Sequence, residues 1–110
     1  MSGRSHVLVE SQAVWGKPGA GCFLREAVSL AEAGDRVILY LVDDGVFAAV
    51  SDGIPELARL VELGSEVWAD DYSLTHRALV ATRLSPYVRV KGADALDGAV
   101  RGSNGRVRLH

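Results

Sequence analysis

The chain has 110 residues, 48% of them hydrophobic and 24% charged, with one cysteine, three prolines and a formal net charge of −2. That is the composition of one globular domain spanning residues 1–110, and it excludes a disordered or fibrous chain, a disulfide-stapled mini-protein and a Cys-ligated zinc fold. The longest apolar run, Val37 to Val42, is six residues, against the roughly 20 that span a bilayer.

The first strand is expected over His6–Glu10, followed by a loop over 11–21 in which Gly16, Pro18, Gly19 and Gly21 cluster. A helix is predicted from Cys22, with Phe23, Ala27, Leu30 and Ala31 at helical spacing and Gly34 as its stop. Val37–Val42 is apolar without alternation, the pattern of a central strand covered on both faces. Asp43-Asp44-Gly45 ends it, and Val46–Val50 suits one helical turn. Pro55 opens the next helix at a position where its missing N–H costs nothing, and Gly64 closes it. Glu66–Ala69 reads as a third strand, and Asp70 or Asp71 as the cap of a helix from Tyr72 to about Ala81. Val88–Val90, Ala93–Val100 and Arg106–Leu109 then read as strand, short helix and strand.

Strands alternating with helices imply right-handed crossovers. The predicted fold is α/β, a three-layer α/β/α sandwich with about five mostly parallel strands. Functional groups in such sheets gather at the carboxyl ends of the strands. Here those ends are the 11–21 loop, Asp43-Asp44-Gly45 and Asp70-Asp71-Tyr72.

Three segments carry a family resemblance. AGDRVILYLVDDGVFAAV (33–50), GSEVWADDYSLTHRAL (64–79) and the opening strand, long loop and helix resemble the DsrE/DsrF/DsrH family of small sulfur-relay proteins. The Asp-Gly-Val and the short loop after the third strand are closest to the DsrH or TusB type, the long first loop to the DsrE type. The resemblance implies a cytoplasmic subunit of a homo-oligomer, or of a hetero-oligomer with DsrE/DsrF-like subunits, passing persulfide sulfur between cysteines. In bacteria such relays feed tRNA thiolation or sulfur oxidation. The DsrE-type acceptor cysteine would fall at or beside Asp70, where this chain has Asp70-Asp71. A carboxylate carries no persulfide, so the expected role is accessory. Cys22 is the one residue able to handle sulfur, although it lies earlier on its helix than the cysteine of some DsrH-type subunits.

The residues themselves point the same way. Cys22 follows a Gly-rich stretch at an expected helix N-terminus, where unpaired N–H groups favour a thiolate, and Lys17 adds positive charge. A small apolar residue under the helix is the plainer reading of a free cysteine. Lys17 and Gly19 also suggest an anion cradle, which gives the alternative function: a small-ligand or nucleotide-binding module using loop 16–21 and Asp43, Asp44, Asp70 and Asp71. It is not a P-loop, since Lys17 precedes the last two glycines of the loop. Asp71 and His76 suit acid–base work in a small hydrolase or isomerase, or equally a cap and a solvent-facing imidazole; the donors are too few for a metal site. Trp15, Tyr72 and His76 are candidates to face a partner. No cofactor is implied.

Charge is uneven: residues 1–76 hold five Lys/Arg against twelve Asp/Glu, and residues 77–110 seven against two. The basic residues are scattered with only Tyr87 among them, the pattern of complementary faces more than of a nucleic-acid surface. With no apolar stretch of signal-peptide length at the start and a lone cysteine suited to a reducing compartment, the expectation is a cytoplasmic protein without membrane or direct nucleic-acid contact.

Overall fold

Residues 3–14, 18–50, 54–79 and 83–110 are described by the structure, a computed structural model. Five strands, β1 (Ser5–Glu10), β2 (Arg36–Leu41), β3 (Glu66–Asp70), β4 (Val88–Lys91) and β5 (Val107–Leu109), form one sheet in the order β4-β3-β2-β1-β5, every pair parallel. Helices α1 (Pro18–Glu32), α2 (Pro55–Glu62), α3 (Asp71–His76) and α4 (Ala93–Gly102) connect them, with a 3₁₀ helix over Asp43–Val50 after β2. The predicted α/β fold with parallel strands is the observed one.

Strand register explains the two faces. Leu8, Leu39, Val67 and Val88 stand abreast, and Val9, Tyr40, Trp68 and Arg89 form a neighbouring row of opposite parity. The first row packs against Phe23, Leu24, Ala27 and Ala31 of α1 and Leu57 and Leu60 of α2. Each fully buried Leu in that layer contributes about 2 kcal/mol. On the other face lies α4, whose Ala99 and Gly102 line a cavity with Val7, Ile38 and Trp68. No residue of α4 is buried, so this second layer is thin.

Topology dictates the asymmetry. The first three crossovers step towards β4, and α4 then carries the chain back to the far side of β1. With right-handed crossovers, that reversal moves α4 to the opposite face. It also makes the carboxyl ends of β1 and β5 the point where strand order reverses, beside the start of α1.

Two helix boundaries differ from expectation. α1 begins at Pro18, a turn before Cys22: proline suits the first helical position, and packing of Phe23 and Leu24 into the core outweighs the roughly 1 kcal/mol that each helical glycine costs. α3 stops at His76, well short of Ala81. Ala78 takes a left-handed φ of 53°, its N–H donates to the Thr75 carbonyl, and the Leu79 N–H reaches back to Leu74. That is a Schellman ending built without the usual glycine, so the sequence carried no stop signal. Residues 80–82 lie outside the described residues.

Candidate functional site

At the ends of β2 and β3 the strand-end aspartates come together, in unequal roles. Asp70 is only 8% exposed. It caps α3 by accepting from the Ser73 N–H at 2.9 Å and the Ser73 hydroxyl at 2.7 Å, and its other oxygen accepts from the Tyr40 hydroxyl. Burial pushes the Asp70 carboxyl up, but the hydrogen bonds from Tyr40 and Ser73 outweigh it and hold it below the usual carboxylate range. Burial, then the hydrogen bond to Asp70, pushes the Tyr40 phenol above its ordinary range. Asp70 therefore has both oxygens engaged by the scaffold, one by Tyr40 and the other by Ser73.

The neighbours are exposed. Ser73 also accepts from the Asp43 N–H at 2.9 Å, with Asp43 at a φ of 51°, and Asp44 pairs with Arg77 at 3.0 Å. The Asp71 carboxylate accepts from the Tyr72 N–H at 2.6 Å. Tyr72 stacks on His76, ring centroids 5.7 Å apart. No ion pair joins Asp71 to His76 among the described residues, so the expected acid–base couple is not assembled. Trp68 packs edge-on to Tyr40, with the Lys91 ammonium 5.2 Å from its ring centroid.

Cys22 is exposed, and its sulfur accepts from the Arg25 guanidinium at 3.1 Å. As the fifth residue of α1 it lies beyond the first turn, where the unpaired N–H groups are. The cation beside it is Arg25, one turn on; Lys17 and Trp15 lie outside the described residues. Arg25 also lines an open groove of about 600 Å³ between α1 and α2. Gly19 and Gly21 are helical, so residues 18–21 of the expected loop belong to α1, and residues 16 and 17 lie outside the described residues.

A further pair was not expected. Glu10, wholly buried at the end of β1, meets His110 Nδ1 at 2.8 and 3.0 Å and also accepts from the Gln12 N–H at 2.9 Å. The His110 ring stacks on Phe23, centroids 5.2 Å apart, and backbone bonds with Val9 and Ser11 fix its main chain beside β1. A side chain at Gly19 would start 2.9 Å from His110 Nε2. Nε2 makes no hydrogen bond among the described residues. The available signal was a glutamate closing an apolar strand and a histidine following the last one.

These features define an α/β protein with an open parallel sheet and its polar groups at the strand carboxyl ends. No family model matches the chain, and no curated protein does. Among solved structures it is similar to the YchN protein of E. coli, with a TM-score of 0.87 at 19% identity over 98% of this chain and 99% of that one. It is also similar to MTH1491, a protein of unknown function from Methanobacterium thermoautotrophicum, with a TM-score of 0.77 at 11% identity over 99% of this chain and 100% of the other. The likeness is one of fold, and it is the DsrE/DsrF/DsrH-like fold that the sequence resembles. No described helix is long and apolar enough to cross a membrane.

Proposed function

We propose that the chain is an accessory subunit of a cytoplasmic sulfur-relay assembly of the DsrE/DsrH type, with Cys22 as its sulfur-handling residue. The observation that carries this reading is the exposed Cys22 sulfur held 3.1 Å from the Arg25 guanidinium. An anionic persulfide needs an accessible sulfur and a cation beside it, and the groove lined by Arg25 leaves room for a partner to approach. The position of the DsrE-type acceptor is taken by Asp70, whose carboxylate caps a helix. Sulfur therefore has one place to reside, and the assembly's acceptor cysteine belongs to a partner subunit. The anion-binding alternative is weaker, because Gly19 and Gly21 are wound into α1.

The test is transfer. A persulfide donor carrying labelled sulfur is mixed with the protein and a DsrE-type subunit, and reductant-labile label is followed on each chain. The reading requires label on this chain, passage to the partner, and loss of both with Cys22→Ser. Direct loading of the partner at an unchanged rate would overturn it.

A further inference from the structure

At the amino ends of β1, β2 and β3, against the last turn of α4, lies a cavity of about 360 Å³. We propose that it binds a small organic anion, a carboxylate carried on an aromatic or branched apolar body. This second site stands at the opposite end of the sheet from the strand-end aspartates, and it does not depend on Cys22.

The walls select an apolar body. Val7 and Ile38, abreast on β1 and β2, line the cavity with Trp68 of β3, and Ala99 and Gly102 of α4 close it from above. Space remains because α4 presents small residues there and buries none of its side chains. Trp68 is held from three sides: edge-on by Tyr40, by the Lys91 ammonium 5.2 Å from its ring centroid, and through its Nε1–H, which donates to Glu66 at 3.0 Å. A wall fixed in advance loses little freedom when a ligand packs on it, and the volume falls within the range of small-molecule clefts.

The polar groups select the charge. Two acids stand at this end of the sheet, and both oxygens of each are engaged. Asp35 accepts from the Arg4 N–H at 3.1 Å and lies 2.7 Å from His6 Nε2. Glu66 accepts from Trp68 and, at 2.8 Å, from the Arg36 guanidinium. The cations keep donors to spare. Arg36 lines the cavity and has no side-chain partner but Glu66 among the described residues; the Ser5 hydroxyl, also in the lining, has none. Arg106, whose Nη1 donates to the Ser103 carbonyl at 3.1 Å, adds positive charge beside the end of α4. Occupied acceptors and a guanidinium with free N–H groups favour an anion, and the planar fork of arginine matches a carboxylate.

The experiment is an NMR titration of isotope-labelled protein with naphthoate, using naphthalenemethanol as the neutral analogue and naphthylmethylamine as the cationic one, each to about 5 mM. The expected result is a saturable shift of the Trp68 indole N–H and of the Ala99 and Gly102 amides, with naphthoate about tenfold tighter than the alcohol and the amine weakest. Arg36→Gln should bring naphthoate to the level of the alcohol, and Arg36→Lys should restore most of the difference. Arg36→Gln combined with Glu66→Gln, which leaves no freed carboxylate, should show the same loss. Ala99→Leu should fill the cavity and end binding of both acid and alcohol; as α4 buries no side chain, the fold should survive it. No saturable shift with naphthoate, equal affinity for acid and alcohol, or undiminished binding in the double variant would overturn the proposal.

Discussion

The Tyr40 hydroxyl donates to Asp70 across two neighbouring strands, and both groups are almost wholly buried. That contact, with the two bonds from Ser73, commits the carboxylate to the scaffold. It also separates the adjacent aspartates: Asp70 ties β2, β3 and α3 together, and Asp71 faces solvent.

Replacing Asp70 with alanine removes the cap of α3 and strands a buried phenol. Losses of about 1 kcal/mol for the cap and about 1–3 kcal/mol for the unpaired hydroxyl are expected. Asp71→Ala is expected to stay within about 0.5 kcal/mol of the wild type. Urea unfolding measures both, and equal losses would contradict the division of roles.

Acid tests the same network. The folded-state carboxyl of Asp70 is held below its ordinary range, as is Glu66, by hydrogen bonds from Trp68 and then Arg36. A depressed carboxyl stabilises above its unfolded pKa, and that contribution is lost as pH falls through the folded value. The urea midpoint should hold near neutrality and fall below about pH 4. Tyr40→Phe removes one cause of the Asp70 depression. Its deficit should be largest near neutrality and shrink in acid, and a constant deficit would contradict the assignment.

Two glycines make opposite predictions. A methyl group at Gly45 would overlap the Glu10 carbonyl, which already accepts from the Val42 N–H at 3.0 Å. Gly45→Ala should therefore cost at least about 2 kcal/mol. Gly98, within α4, has no atom within 4 Å of such a methyl, and Gly98→Ala should stabilise by about 0.5–1 kcal/mol. Thermal unfolding of the two variants reads both signs.

Much of the architecture was legible because the apolar pattern carries it. Val37–Val42, apolar on both sides, could only be a central strand, and Pro55 and Gly64 bracket α2 as their backbone preferences require. The end of α3 was not legible, because Ala78 adopts the conformation usually left to glycine. The start of α1 was hidden for the converse reason: glycines that normally mark a loop are wound into a helix held by the core. In the candidate site, the strand ends were readable from topology, and Asp43, Asp44, Asp70 and Asp71 do gather there. Which carboxylate is buried depends on Tyr40, thirty residues away in sequence. Glu10 and His110 stand almost the whole chain apart and meet only through the pairing of β1 with β5, which no local pattern encodes.

Sulfur loading tests the central claim most directly. The purified protein and its Cys22→Ser variant are incubated with a persulfide donor, and their intact masses are recorded before and after reductant. The account predicts added sulfur on the wild type alone, removed by reductant. No addition to the wild type, under conditions that load a DsrE-type control, would contradict it.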